Sequence, residues 1–559
     1  MNNIKSFICS LLGHVPRDFR GTGTGFLKAA VAACLAIALC SCVKEEPPFE
    51  PKQAPPSPET ADGGNSAPGI DTSLPNTVPE TPQQPPPTGL DCDGLLKKSV
   101  KVFRGIPEDL RSLQTKQANQ LATLVEKAVV DCEKYLADCT TDPAAAEVHF
   151  YQAKFLQVLS SRVRTQVINE IAAKGDKFTT GELDRKMGPF YRRIASHAVK
   201  ATDGLARESR LKPQAIEIRA WSHTLLKETR KAKEDYLLFL KTYPASPRST
   251  VLTAALGRVL STLGEYDAGI KLIEEKMADP EANRSADFPT LGETRWKLYE
   301  AKGDPEGLLL SAEKVLKDYR PRIKSDQHSP QTKEAYARYL AFNGFRKGYA
   351  LMALGRLDEA RVAFDEHLNE INQLQEALEK KGLSLKPAIS IYRQRSENAQ
   401  GFLDKTSLRQ APADFDLGEM WVTEKKTRLA NSNGKVIGLL FRGTDDTRSA
   451  TFMNNIAQFA SEDNDIELVS VHFFKSARNV DEQLDGLRQE LEGMGYSAAA
   501  GFDPDLKDKG LFRAWGVYVG SATFLIIDKQ GQPVWFQQDP RTRDSNLVKS
   551  ILLRVRDSG

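Results

Sequence analysis

From Leu90 to about Leu403 apolar residues recur at helical spacing, in segments of roughly 12 to 30 residues separated by short breaks at Pro, Gly, Asn and Asp. No alternating strand pattern interrupts them, so this stretch reads as all-α. After Thr406 the period changes. Short apolar runs at 436–441, 466–473 and 523–527 read as buried strands, and 448–461 and 480–494 between them as amphipathic helices. Asn479 and Glu482 are placed like a capping box for the second helix. A short helix is expected at 511–515, a hairpin turn at Asp528-Lys529-Gln530-Gly531, an edge strand at 533–537 and a last helix at 546–555. The pattern predicts a multidomain chain, an all-α array followed by an α/β domain.

Several breaks in the helical stretch share a context. Ala353-Leu354-Gly355-Arg356-Leu357-Asp358-Glu359-Ala360, with Gly348 before it and Phe364 after it, resembles a tetratricopeptide repeat at the turn between its two helices. A second instance has Leu256-Gly257, Leu263-Gly264-Glu265-Tyr266-Asp267, Ile270 and Ile273, closing at Pro280. A weaker third has Trp296, Tyr299, Gly303-Asp304 and Leu308, and Ala232, Tyr236, Leu240 and Tyr243-Pro244 resemble the second helix of a preceding unit. Small residues let paired helices approach, and the turn glycine permits a tight reversal. The turn glycines are 39 and 52 residues apart, so the repeats are irregular in length. Such arrays present extended surfaces, which makes a protein or peptide the expected partner.

Lys5, Arg17, Arg20 and Lys28 precede an apolar, alanine-rich run from Ala29 to Leu39, the order of a secretory signal. The run ends in Leu39-Cys40-Ser41-Cys42, which resembles the lipobox of bacterial lipoproteins. That resemblance implies lipidation at Cys42, attachment to a membrane through the lipid, and residence in the bacterial cell envelope, at the outer membrane or the periplasmic face of the inner one. From 47 to 87 the chain is dense in Pro, Gln, Ser, Thr and Glu, too poor in apolar residues to form a core, and reads as a disordered tether. The expected division is 1–41 signal peptide, 42–90 tether, 91–405 helical repeat domain and 406–559 α/β domain.

The formal net charge of +3 over 559 residues, with both signs interspersed, gives no basic face and argues against nucleic acid. With the signal removed and Cys42 lipidated, Cys92, Cys132 and Cys139 remain as candidates for one disulfide in an oxidising compartment. All three pairings stay open. Cys132 and Cys139 would lie about 10 Å apart on an unbroken helix, too far to bridge unless the helix ends between them.

Gln410-Ala411-Pro412-Ala413-Asp414-Phe415-Asp416-Leu417 resembles the opening motif of the redoxin group, and the strands and helices after it keep the order of that thioredoxin-like fold. The resemblance implies an active site after the strand ending at Phe441. Aligning Phe441 and Met453 puts Asp446 and Ser449 where the two redox cysteines stand, and Ser521 where the cis-proline stands. Thiol–disulfide exchange needs a thiolate, which neither Asp nor Ser supplies, and a peroxidatic cysteine is absent for the same reason. No catalytic residue is assigned. Asp445, Asp446 and Ser449 read as helix-capping groups. His149, His197, His223, His328, His367 and His472 show no paired ligand spacing, so neither metal nor cofactor is expected; His472, after a buried strand, is the one that could approach the former active-site edge. The expectation is a membrane-anchored, non-catalytic interaction scaffold with a redox-inactive thioredoxin-like domain. The alternative is a thiol-disulfide oxidoreductase or redoxin-type antioxidant using Cys92, Cys132, Cys139 or a partner's thiol.

Overall fold

The computed structural model describes residues 91–558 apart from 108–114, 140–141, 174–179, 286, 325–329, 381–386, 407–420, 428–433, 444–445, 474–479 and 504–521. The lipobox with Cys42, the tether, the motif at 410–417, Asp445, Asn479, His328, the helix at 511–515 and Ser521 lie outside the described residues.

The helical stretch is built from α1 (Cys92–Arg104), α2 (Thr115–Asp138), α3 (Ala145–Ala173), α4 (Thr180–Gly204), α5 (Lys212–Leu225), α6 (Thr229–Thr242) and α7 (Ser249–Thr262). It continues through α8 (Tyr266–Ala278), the short α9 (Pro280–Arg284), α10 (Phe288–Lys302), α11 (Pro305–Lys324), α12 (Pro330–Ala353), α13 (Leu357–Glu379) and α14 (Pro387–Thr406). Successive helices pack on one another, giving an array of hairpins. Glycines let some pairs close tightly: a Cβ on Gly348 would lie 2.5 Å from the Phe364 ring.

Three hairpin turns are made the same way. At Gly264, Gly303 and Gly355 the chain takes φ of +76°, +76° and +72°. In each, the glycine N–H bonds back to the carbonyl three residues earlier, and the next N–H to the carbonyl five before it: Ser261 and Leu260, Glu300 and Tyr299, Met352 and Leu351. This is the Schellman closure, which satisfies carbonyls left over at a helix end and needs a left-handed residue. The α5–α6 turn has the same two bonds, Lys227 N–H to Thr224 and Glu228 N–H to His223, but with lysine at φ +59°. Its geometry matches the glycine turns although its sequence does not.

The C-terminal part holds β1 (Val436–Gly443), α15 (Thr447–Ser461), β2 (Ile466–Phe473), α16 (Val480–Gly493), β3 (Ala499–Phe502), β4 (Thr523–Ile527), β5 (Pro533–Gln538) and α17 (Ser545–Asp557). They form a mixed five-stranded sheet in the order β3-β2-β1-β4-β5. The strands β1, β2 and β3 are parallel; β4 runs antiparallel to β1, and β5, antiparallel to β4, runs in the direction of β1. This is compatible with a thioredoxin-like domain following a helical array. Every residue of β1 is buried, as its continuous apolar run requires of a central parallel strand. The strand β3 was not expected from the sequence; Ala-Ala-Gly-Phe carries little strand preference and forms through its pairing with β2.

The array and the sheet share a core. Trp296, Tyr349 and Phe364 of the array belong to the same buried cluster as Phe452, Phe524, Trp535 and Leu547. The rings of Tyr349 and Trp535 lie 5.6 Å apart, those of Phe402 in α14 and Phe536 in β5 4.6 Å apart. Two side chains of α17 then finish helices of the array: Asn546 Nδ2 donates to Ala301 O at 2.6 Å, and Arg554 Nη1 to Ala353 O at 3.0 Å.

Candidate functional site

In open α/β sheets, ligands and reacting groups gather beyond the carboxyl ends of the parallel strands. Here β1 ends in Arg442 and Gly443, and β2 ends beside it, with Arg442 in register with His472. The chain leaves β1 and enters α15 through Asp446, whose N–H bonds to Gly443 O at 3.1 Å. Ser449, one turn into the helix and buried, donates its hydroxyl to Asp446 Oδ2 at 2.9 Å. The two positions that the redoxin resemblance equates with the redox pair are thus in contact, joined by a hydroxyl–carboxylate hydrogen bond. Among the described residues no imidazole is hydrogen-bonded to Ser449, and its bond to Asp446 braces the start of α15.

Beneath the site lies a buried polar layer that sequence reasoning did not anticipate. The Arg442 guanidinium is fully buried and reaches Glu490 Oε1 in α16 at 2.7 Å, with Met453 of α15 on its other side. His472 lies at the end of β2, close to this edge, but its ring is turned into the interior. Its Nε2 is 3.0 Å from Ser470 Oγ, which accepts from Tyr496 OH at 3.1 Å. Burial, and then the charge of Arg442, hold His472 well below the usual histidine range, so the ring is neutral. The ring is fully buried, and its Nδ1 has no hydrogen-bond partner among the described residues. The signal for this layer was faint: an arginine inside an apolar strand needs a partner, but nothing in the sequence pointed to Glu490.

The other candidates lie in the array. The structure pairs Cys92 with Cys139, Cα atoms 6.3 Å apart, tying the start of α1 to the residue just after α2. Cys132 is left as a buried thiol against Ser99 Oγ at 3.3 Å, and burial pushes its pKa up to about 11. Such a thiol is protonated at neutral pH and unreactive. The histidines fall into separate settings. His223 contacts Glu228, and His367 contacts Ser396 with its pKa lowered by burial to about 4. His149 and His197, 48 residues apart, meet across α3 and α4, and burial lowers both, His197 to about 4. On the surface, Leu309, Leu310 and Leu354 floor an open groove of about 530 Å³ edged by Glu306, Glu313, Arg356 and Arg554.

No family model matches this chain, and no curated protein does. Solved structures similar to part of it include three thiol-exchange proteins by name. A candidate thiol:disulfide interchange protein DsbE from Chlorobium tepidum is 19% identical over 26% of this chain and 96% of its own, with a TM-score of 0.21. A DsbF homologue from Corynebacterium diphtheriae is 16% identical over 27% and 94%, with a TM-score of 0.20. A candidate protein disulfide isomerase from Bacteroides thetaiotaomicron is 17% identical over 26% and 87%, with a TM-score of 0.21. At such scores the likeness says nothing of activity.

Proposed function

We propose that this chain is a lipid-anchored envelope protein that acts as a non-catalytic scaffold, its helical array binding a protein or peptide partner and its thioredoxin-like domain serving as a redox-inactive module. The reading rests above all on one observation: Asp446 and Ser449, which the redoxin resemblance equates with the redox pair, are a carboxylate and a hydroxyl bonded to each other. The state of the thiols supports it, since Cys132 is buried and Cys92 is paired with Cys139. The open groove at Leu309, Leu310 and Leu354, edged by charged side chains, is where this reading seats part of the partner. The anchor is inferred from the lipobox at Cys42 and the tether behind it. Thiol exchange through Cys92, Cys132 or Cys139 is the competing reading, and it draws no support from these positions.

The test joins three measurements on the protein. Disulfide reductase activity should be absent, palmitate label should be lost on Cys42→Ala, and crosslinking in native envelopes should capture a partner that is lost when residues 205–403 are deleted. Turnover that vanishes with Cys92, Cys132 or Cys139, or an envelope in which the protein crosslinks to nothing, would reject the scaffold.

A further inference from the structure

His149 in α3 and His197 in α4 approach with Nδ1 atoms 2.9 Å apart, ring centroids 5.1 Å apart and ring planes at 44°. Both are half-buried on helices that pack against each other, so their separation is set by the backbone and the site stays open to solvent on one side. Two imidazole nitrogens at this distance must share either a proton or a metal, because two lone pairs facing each other repel. We infer that the pair is a two-imidazole chelate for a divalent metal that prefers tetragonal coordination, copper(II) or nickel(II).

The separation itself selects that class. Two nitrogens each about 2.0 Å from a metal lie roughly 2.8 Å apart when they subtend a right angle, as in square-planar sites, and roughly 3.3 Å apart at the tetrahedral angle zinc prefers. The observed 2.9 Å matches the first. Charge selects in the same direction. The cations facing the pair are Lys200, which is exposed, and Arg193, which is ion-paired to Glu133. They repel every dication alike, so only strong nitrogen donation outweighs them; copper(II) and nickel(II) stand highest among the divalent metals in that donation, whereas calcium and magnesium seek oxygen. Among the described residues no group of three or more His, Cys, Asp and Glu side chains is placed to hold a metal. The other equatorial positions would therefore be water.

The full chain in detergent is titrated with copper(II) sulfate alone and followed by electron paramagnetic resonance. A tetragonal signal with spin-echo modulation from two imidazoles is expected, and His149→Ala and His197→Ala should each weaken binding at least tenfold. Circular dichroism checks that the variants fold; if one does not, the imidazole count on the wild-type protein decides alone. A copper signal with fewer than two imidazoles, an affinity unchanged in both folded variants, or no binding below millimolar copper would reduce the pair to a hydrogen bond and overturn the inference.

Discussion

Asn546, at the start of the last helix, donates its side-chain amide to the main-chain carbonyl of Ala301, 245 residues earlier, at 2.6 Å. Ala301 lies in the last turn of α10, where carbonyls lack partners within the helix. The helix that closes the sheet domain therefore also finishes a helix of the array. The next turn residue is held by the same contact: a Cβ on Gly303 would lie 2.7 Å from Asn546 O, whereas one on Gly355 would meet nothing within 4 Å. Both glycines have positive φ, so Gly355→Ala should cost about 1 to 2 kcal/mol from backbone strain alone. Gly303→Ala should cost clearly more, because main chain of α17 must also move. Urea unfolding of the two variants checks this; equal losses would mean that α17 does not bear on the turn.

The α5–α6 turn offers the opposite experiment. Lys227 takes the conformation that glycine takes in the three sister turns, and its backbone bonds match theirs. Lys227→Gly should relieve the left-handed strain. Part of the gain is offset by the greater freedom of glycine in the unfolded chain, leaving a net stabilisation of about 0.5 to 1 kcal/mol. Lys227 Nζ also reaches Asp184 at 2.8 Å, an exposed pair worth little. A lower unfolding midpoint for Lys227→Gly would show that this ion pair outweighs the strain.

The junction of array and sheet should also respond to pH. Burial, and next the charge of Asp544, push the Glu300 carboxyl in α10 up to about 8, and burial raises Asp544 as well. Arg346 in α12 and Arg395 in α14 oppose the shift without cancelling it. A carboxyl raised in the folded state favours folding while it is protonated. Its contribution is complete below the ordinary Glu value of 4.5 and is lost as pH rises through about 8. Glu300→Gln, which keeps the shape without the charge, should therefore melt higher than the wild type at pH 8.5, with the gap closing at pH 5. A variant that melts lower at both values would mean that the Glu300 charge is needed to hold Arg346.

How much of this was legible in advance depended on whether the cause was local. The strands β1, β2 and β4 were readable because burial on both faces demands mostly apolar runs, although β2 also carries Glu467, Ser470 and His472. Gly264, Gly303 and Gly355 were readable because a left-handed turn favours glycine, and Lys227 was not, because it reaches that conformation against its own preference. The strand β3 and the Arg442–Glu490 pair arise from neighbours far along the chain. His149 and His197 showed no ligand spacing because their meeting is a product of helix packing. Asp446 and Ser449 were reached by resemblance, and their bond to each other required coordinates.

That bond sets up a direct test of whether the start of α15 has a redox geometry. Asp446 and Ser449 have the spacing of a CxxC pair, and their side-chain oxygens are already 2.9 Å apart. Asp446→Cys combined with Ser449→Cys should therefore oxidise to an intrachain disulfide without rearranging α15, because the first thiol would sit at a helix start, where the thiolate is favoured. Cys132 supplies an internal control. Its thiol pKa, raised from 9.0 to about 11 by burial, should keep it unalkylated at pH 8 in the folded protein. Because the folded state holds that proton more tightly, its contribution to stability is whole below pH 9 and fades as pH climbs through 11. Alkylation followed by mass spectrometry should find the new pair protected until a reductant is added and Cys132 protected until the protein is denatured. If the paired cysteines stay reduced in air while the protein remains folded, then the α15 start does not hold these two positions in a disulfide geometry, and the equation of Asp446 and Ser449 with a redox pair falls.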